Sequence, residues 1–256
     1  SGLAVALAAG ASVFYVDHHF PGEIPEHPAL QSIINEAPDV CTAALVNGHL
    51  QGAYLDWAVT GAFGDNLKDT ARALARDLDM SEADLQRLEQ LGVCINYNGY
   101  GPAVDDLHFD PEDLYRRLLL ADSALDFVHS SADFTRLSEG YASDMAMAEG
   151  LSPAYENGDV AVFQLPDEAW ARRVSGVYSN DLATAHPARA HAVLTAKANG
   201  SFLVSVRAPL ENKQGAAELC MQFPTGGGRA AAAGINDLPV AMLDDFVAAI
   251  AAAYKR

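Results

Sequence analysis

Apolar residues occur in short blocks that end in glycine or polar turns, and the first block predicts a buried strand. Residues 13–16 are β-branched or aromatic, and Pro21 and Gly22 end the stretch that follows them. A small-residue helix is predicted just before, over residues 3–9, with Gly10 at the position that favours glycine after a helix. A helix followed by a strand is typical of an alternating α/β layer.

Two further blocks continue the pattern. Residues 32–46 predict a broken helix followed by a second buried element. Residues 57–63 are apolar and lead to Gly64 and Asp65, so they repeat the arrangement of an apolar segment, a glycine break and a carboxylate. Residues 68–91 then predict two helices that are split near Met80.

The middle of the chain predicts a loop and a helical connection. In residues 92–104, two asparagines and two tyrosines alternate with glycines, which fits either a glycine–asparagine turn or a loop that stacks on bases; we assign no role to the part from Asn96 to Gly101. Residues 111–120 predict a helix capped by Asp110. Residues 122–157 predict a polar helical connection, and we assign four of its acids to a solvated face: Asp126, Asp133, Glu139 and Asp144.

The remaining pattern predicts a second α/β unit. Its strands are expected at 160–164, 190–198 and 201–207, and its helices at 166–177, 214–222 and 239–254. The predicted fold class is α/β, with an N-terminal parallel-sheet domain joined by a helical linker to a smaller mixed α/β C-terminal domain. The predicted bounds are 1–122 for the first domain, 123–157 for the linker and 158–256 for the second domain.

Composition limits the classes of function. The 256 residues carry a formal net charge of −18, which argues against wide, nonspecific gripping of a nucleic-acid backbone. Three cysteines far apart indicate neither a disulfide framework nor a thiolate zinc site. Apolar runs are too short for a membrane span, and the alanine-rich start lacks the basic region of a signal peptide. We therefore expect a cytoplasmic protein with no membrane partner.

The first candidate chemistry lies where the first strand ends. Asp17, His18 and His19 follow that strand directly, and the carboxyl ends of strands in α/β sheets face the ligand crevice. Asp65 is the candidate partner of these residues. The alternative is a surface turn, since Asp and His are ordinary turn residues.

The second candidate chemistry is a glycine-rich loop. Gly226, Gly227 and Gly228 let backbone N–H groups approach an anion, and the guanidinium of Arg229 can pair with a phosphate. Arg207, at the end of a predicted strand, is expected to face the same anion. The alternative is a glycine loop that only allows tight packing.

Together, three stretches resemble the DHH phosphoesterases with a C-terminal DHH-associated domain, a group that includes RecJ-like exonucleases and oligoribonucleases. They are Val-Asp-His-His at 16–19, Gly-Ala-Phe-Gly-Asp-Asn at 61–66, and Gly-Gly-Gly-Arg-Ala-Ala-Ala-Ala-Gly at 226–234. The resemblance covers nearly the whole chain. It implies a metal-dependent hydrolase, a manganese phosphoesterase or phosphodiesterase, that acts on its substrate in a cleft between two domains.

The resemblance also implies roles for single residues. His18, Asp65 and Asp17 would hold metal, and Asp17, His18, His19 and Asp65 would form the catalytic site. Arg207, Gly226, Gly227, Gly228 and Arg229 would bind substrate. The cofactor would be Mn2+, as two ions in the complete protein, with Mg2+ as the other candidate.

Two departures from the family pattern bear on function. The family carries an earlier His-x-x-x-Asp-x-Asp cluster and a further aspartate, and we expect this sequence to begin downstream of both. Arg229 stands where a histidine is usual. The acidic charge favours a short oligonucleotide or a nucleotide as the substrate, and a homodimer is left open. The alternative function is a catalytically incomplete nucleotide- or nucleic-acid-binding protein on the same scaffold.

Overall fold

A computed structural model describes residues 2–255 and shows eleven α-helices and eight strands in that range. The helices are α1 Gly2–Ala8, α2 Thr42–His49, α3 Leu55–Gly64, α4 Lys68–Leu74, α5 Glu82–Tyr97, α6 Pro111–Leu118, α7 Ala124–Ser130, α8 Ala132–Glu149, α9 Ala169–Ala185, α10 Ala216–Cys220 and α11 Leu243–Ala253. The strands are β1 Val13–Asp17, β2 Leu30–Ile34, β3 Tyr155–Glu156, β4 Val160–Leu165, β5 Ala190–Ala196, β6 Ser201–Arg207, β7 Gly226–Gly228 and β8 Ala232–Pro239.

The chain forms two compact units. The first unit contains the residues up to Asn96 together with Glu112–Ser138, and the second contains Tyr97–Pro111 together with the residues from Glu139 onward. The predicted α/β class is confirmed, with a parallel sheet in the first unit and a mixed sheet in the second. The functional domain bounds proposed above stay a prediction.

The first unit has a two-stranded parallel sheet in which Val13 pairs with Leu30 and Asp17 with Ile34. The prediction of a helix from residue 32 was wrong, because the apolar pair at the end of β2 belongs to a strand and the helix begins only at Thr42. The apolar block at 57–63 is helical and lies within α3.

Helices α3 and α5 approach closely because both carry glycine at the contact. A Cβ on Gly92 would lie 2.2 Å from the Thr60 carbonyl oxygen, and a Cβ on Gly64 would lie 2.9 Å from the Gly92 carbonyl oxygen. Hence no larger residue fits at Gly92 without moving one helix. Helix α5 continues to Tyr97, so the loop predicted from residue 92 begins later than expected.

The pattern within the helices explains the core of the first unit. Val59, Ala62 and Phe63 of α3 are buried, and so are Leu88 and Leu91 of α5, at the spacing that places residues on one helical face. Ser81 and Asp84 cap α5 as predicted, since the Ser81 Oγ accepts from the Asp84 amide at 3.1 Å.

The second unit is built on a six-stranded mixed sheet with the order β3-β4-β5-β6-β8-β7. Strands β4 and β5 are parallel and the other neighbours are antiparallel. Alternation along β5 places Ala192 and Leu194 in the cluster that includes α11, while Val193 lies in the cluster that includes α9. The sheet is therefore covered on both faces where β5 lies.

The three glycines at 226–228 form an edge strand rather than the predicted open loop. In β7, Gly227 pairs with Gly234 of β8 in antiparallel register. A Cβ on Gly226 would lie 1.8 Å from the Cys220 carbonyl oxygen, so glycine is required there by packing. Packing thus fixes Gly226, and the outer side of β7 has no neighbouring strand among residues 2–255.

Asp144 contradicts the prediction of a solvated face. It is 3% exposed and accepts hydrogen bonds from the Tyr97 hydroxyl and, at 2.7 Å, from the Arg173 Nε. The Tyr97 hydroxyl also lies 2.7 Å from the His108 Nε2. Burial and the hydrogen bond to Asp144 raise the pKa of Tyr97, so the phenol stays protonated and donates. This buried network holds α8, α9 and the start of the 97–111 segment in the second unit.

Among residues 2–255, no helix combines the length and the apolar character that crossing a bilayer requires.

Replacing Asp144 with Ala is expected to lower the free energy of unfolding by about 3 kcal/mol, because it leaves the Arg173 guanidinium buried without a counter-charge. The matched control is Glu139→Ala, an exposed position on the same helix. Chemical denaturation of both variants measures the difference. Equal stability of the two variants would contradict the role of the network.

Candidate metal centre and anion-binding strand

The candidate metal centre begins at the carboxyl end of β1. The strand ends at Asp17, and His18 and His19 follow in a bend, so that strict alternation of sides no longer separates them. One ligand atom from each of these three residues lies within 4.8 Å of the others. The structure thus brings together three residues that the sequence singles out.

Asp17 fixes the turn that presents both imidazoles. Its Oδ1 accepts from the His18 amide at 2.7 Å and the His19 amide at 3.1 Å, and lies 3.0 Å from the His19 Nδ1. The Tyr15 hydroxyl donates to Oδ2 at 2.9 Å. These bonds, first those from His19, hold the pKa of Asp17 far below its ordinary value, so the carboxylate is ionised at neutral pH.

His18 is held from one side and faces Asp65 on the other. Its Nδ1 lies 3.0 Å from the Thr42 Oγ1 and accepts from the Thr42 amide at 3.2 Å. Its Nε2 lies 3.5 Å from the Asp65 Oδ2. His19 is more exposed, and its ring centroid lies 4.0 Å from that of His18. The predicted grouping of Asp65 with the β1 residues is therefore present in the structure.

Asp65 follows α3 and lines a cavity. It is the residue after Gly64, and its amide donates to the Gly61 carbonyl, which ends the helix. The cavity has a volume of about 250 Å3 and is also lined by Trp57, Ile95 and Asn96. The Asp65 side chain is 40% exposed, so the carboxylate can reach a ligand that enters from solvent.

The donor set suits a hard divalent cation. Carboxylate oxygen and imidazole nitrogen are ligands that Mn2+ accepts, whereas thiolates are absent here because Cys41 is buried among apolar side chains. A ligating histidine usually donates its second ring N–H to an oxygen. The Thr42 Oγ1, 3.0 Å from the His18 Nδ1, can accept from it in the tautomer that leaves Nε2 free, whereas the Thr42 amide at 3.2 Å favours the other tautomer. The residues present therefore fit a metal held by His18 Nε2 and Asp65, with Asp17 as their support.

Thr42 is the residue that sequence reasoning missed. Cys41 is buried in the core of the first unit, whereas its neighbour Thr42 contacts His18. A threonine at the first position of a helix is a common capping residue, so no signal in the sequence separates that role from contact with His18, 24 positions earlier.

Arg207 has an environment suited to an anion. Its guanidinium donates to the Asn180 Oδ1 at 2.8 Å, the Ser205 Oγ at 2.9 Å and the Val206 carbonyl at 3.1 Å, all of which are neutral acceptors. Arg172, Arg173 and Arg189 each pair with a carboxylate instead. Burial lowers the pKa of Arg207, because removal from water disfavours the charged form of the guanidinium.

The neighbours of Arg207 add no competing charge. His191 lies opposite it in the β5–β6 register, and burial together with the charge of Arg189 lowers the pKa of His191 to about 4. His191 is therefore neutral at pH 7. On the other side, Arg207 pairs with Ala232 of β8.

Arg229 lies at the turn that joins β7 to β8. Its backbone and that of Ala232 exchange hydrogen bonds of 2.9 and 3.2 Å, and its side chain is exposed. The alternation of antiparallel pairing then turns the Gly228 amide toward the outer edge of β7. Arg207, on the strand that pairs with β8, and Arg229, in the turn that precedes β8, thus both lie near the start of β8.

Replacing Thr42 with Val is expected to change the tautomer of neutral His18. The Thr42 amide remains as a donor to Nδ1 while the hydroxyl acceptor is lost, so the Nε2–H form is favoured. Ring 15N chemical shifts in NMR measure this. We also expect a 10- to 100-fold loss of Mn2+ affinity by calorimetry, because Nε2 must be free to ligate.

The control for this change is Thr135→Val, at an exposed position on α8. An unchanged His18 tautomer together with unchanged Mn2+ affinity in Thr42→Val would remove Thr42 from the site.

Comparison with known proteins gives structural matches only. No protein-family model matches the chain, and no curated protein sequence matches it. Among solved structures, a pGpG-specific phosphodiesterase, PggH, from Vibrio cholerae matches with a TM-score of 0.56 and 12% identity, over 96% of this chain and 85% of that one.

Two more distant structures also match. An exopolyphosphatase-related protein from Bacteroides fragilis has a TM-score of 0.45 and 13% identity, over 94% of this chain and 62% of that one. CDC45 from Entamoeba histolytica has a TM-score of 0.43 and 9% identity, over 78% of this chain and 53% of that one. At these identities the likeness concerns the fold, and the chain shares its α/β fold with the Vibrio cholerae phosphodiesterase.

Proposed function

We propose that the protein is a metal-dependent phosphoesterase that hydrolyses the phosphate esters of short oligonucleotides or nucleotides. The observation that carries this proposal is the grouping of Asp17, His18, His19 and Asp65 at the end of β1, with His18 oriented by Thr42. The sequence resemblance to the DHH phosphoesterases supports the same assignment, and Mn2+ is the proposed ion.

A divalent ion at this place would lower the pKa of a water molecule and stabilise negative charge on the reacting phosphate. Asp17 and Asp65 contribute to the site in two ways. Asp17 keeps both histidines in position through bonds to their amides. Asp65 supplies a second charge beside the His18 Nε2 at 3.5 Å, which increases the affinity of the site for a cation.

Residues of the second unit are proposed to bind the phosphate of the substrate. Arg207 offers a partly buried cation that has neutral partners, and Arg229 offers an exposed cation at the β7–β8 turn. The Gly228 amide can add a donor at the outer edge of β7. Gly226 and Gly227 contribute by keeping that strand free of side chains.

A short substrate is favoured over a long strand. A net charge of −18 repels a long polyanion, so only a few phosphates can be held, and these by local cations. The match to a protein named as a pGpG-specific phosphodiesterase supports a small nucleotide ester as the substrate.

Replacing His18 or Asp65 with Ala is expected to reduce Mn2+ affinity and turnover together, each by at least tenfold, because both side chains face the same position. Calorimetry with Mn2+ and hydrolysis of a 5′-phosphorylated dinucleotide are the two measurements. His129→Ala is the matched control, since His129 is an exposed histidine of the same unit. If both variants bind Mn2+ and turn over like the control, the metal site is wrongly placed. Nucleotide binding without hydrolysis in the wild type would favour the binding-protein alternative.

Replacing Arg207 with Lys is expected to raise KM about tenfold while Mn2+ affinity stays unchanged. The ammonium keeps the charge, but it cannot keep the bonds of the guanidinium to Asn180, Ser205 and Val206 while it donates to a phosphate. Arg229→Gln should act in the same direction through loss of charge, and its exposed position removes concern about folding. The control is Arg116→Gln, on the surface of α6. A loss of Mn2+ binding with normal KM in either variant would contradict a substrate-binding role.

A further inference from the structure

A cavity of about 400 Å3 lies in the second unit, at the end of β5 and β6 away from Arg207. Its wall includes Tyr100, Arg172, Thr195, Lys197, Leu203 and Asn236. The volume is within the range of sites for small organic ligands. Carbon atoms and ring faces dominate this wall, with a small number of polar groups between them.

Thr195 contributes a buried hydroxyl with no partner. The residue is 1% exposed, and its Oγ1 has no hydrogen-bond partner in the structure. A buried hydroxyl without a hydrogen bond is costly, so its retention needs an explanation. Because Thr195 lines the cavity, a ligand in the cavity can complete this bond.

Lys197 and Asn236 provide further hydrogen-bonding capacity in the same wall. The Lys197 ammonium donates to the Asp237 Oδ1 at 2.7 Å and the Asn236 carbonyl at 3.1 Å. A lysine has three N–H donors, so one remains. The Asn236 side chain is exposed and carries both a donor and an acceptor. These groups can form hydrogen bonds with the edge of a heteroaromatic ring.

Tyr100 provides an aromatic surface whose position is fixed. Its ring lies against Gly176 of α9, where a Cβ would come within 3.2 Å of two ring atoms. The residue is 38% exposed, so part of the ring is available to a ligand. Stacking of a base on such a ring contributes about 1–3 kcal/mol and accepts any base.

The cavity and Arg207 lie along one face of α9. Arg172 lines the cavity, Gly176 contacts Tyr100, and Asn180 binds Arg207, each four residues apart. Eight residues of helix span about 12 Å. A nucleotide has this length from the far edge of its base to its phosphate.

We propose that this cavity is a base-binding subsite, in which a nucleobase stacks on Tyr100 and hydrogen-bonds to Thr195 and Lys197 while its phosphate lies toward Arg207. The proposal rests on the proposed function for its choice of a nucleotide. It adds to that function a site that distinguishes nucleotides from other phosphate esters.

The test compares the binding of GMP and ribose 5-phosphate by calorimetry without metal. Guanine is the base of choice because its O6 and N7 accept from the lysine and hydroxyl donors. The wild type is expected to bind GMP at least tenfold more tightly than ribose 5-phosphate. Thr195→Val should weaken GMP binding about three- to tenfold, and Tyr100→Leu should weaken it at least fivefold. Neither should change the affinity for ribose 5-phosphate.

Two controls separate the subsite from folding effects. Thr195→Val removes an unpartnered buried hydroxyl, so its melting temperature should stay equal to or exceed that of the wild type. Thr135→Val, on the surface of α8, should leave both affinities unchanged.

The outcomes distinguish the subsite from the phosphoesterase proposal. Equal affinity of the wild type for GMP and ribose 5-phosphate, binding of neither ligand, or wild-type GMP affinity in both variants would each overturn the subsite. Mn2+-dependent hydrolysis of bis(p-nitrophenyl) phosphate, which lacks a nucleobase, is measured on the same preparations. Base-dependent binding without this hydrolysis would keep the subsite and overturn the phosphoesterase.

Discussion

The carboxylate of Asp17 is the interaction on which the arrangement of the candidate metal centre depends. It accepts hydrogen bonds from the amides of His18 and His19 at 2.7 and 3.1 Å, and these bonds bend the chain at the end of β1. Without that bend, consecutive residues of a strand would point to opposite sides of the sheet. The low pKa of Asp17 keeps the carboxylate available for these bonds across the neutral range. The short parallel pairing of β1 with β2 then fixes where the bend lies.

Positively charged side chains of this protein are mostly paired with carboxylates. In a chain with a net charge of −18, Arg172, Arg173 and Arg189 are all held by acids. Arg207 differs because its partners are neutral and it is partly removed from solvent. A cation in that state interacts strongly with any anion that reaches it, since water screens the attraction less. This contrast is the reason why Arg207 is proposed to bind the phosphate of the substrate.

The second unit combines rigid packing with unsatisfied groups. The buried contacts among Tyr97, Asp144 and Arg173 fix the beginning of the segment that carries Tyr100. Thr195 of β5 lines the same cavity as Tyr100, and its buried hydroxyl has no hydrogen-bond partner among residues 2–255. A well-packed wall with a few unpaired polar atoms is typical of ligand sites, because binding then supplies hydrogen bonds that folding did not. The proposed base-binding subsite follows from that combination.

The sequence by itself determined the α/β class, the first strand at about residues 13–16, two strands of the second unit at about 190–198 and 201–207, and the acid and two imidazoles that follow the first strand. These features depend on local periodicity and on neighbours in the chain, which are visible in the sequence. The helix predicted from residue 32 was wrong for the same reason, since a five-residue apolar strand and a helical segment look alike at that length.

Tertiary structure decided the features that depend on distant pairs. The sequence pattern predicts a surface position for Asp144, whereas the fold buries it beside Arg173, which lies 29 residues later. No local pattern in the sequence links Thr42 to His18, and only the fold brings the His18 Nδ1 within 3.0 Å of the Thr42 hydroxyl. The sequence predicts an open loop for Gly226 to Gly228, whereas pairing with β8 makes these residues a strand. In each case the hydrogen-bond partner is separated in sequence and is selected by packing, which local patterns do not encode.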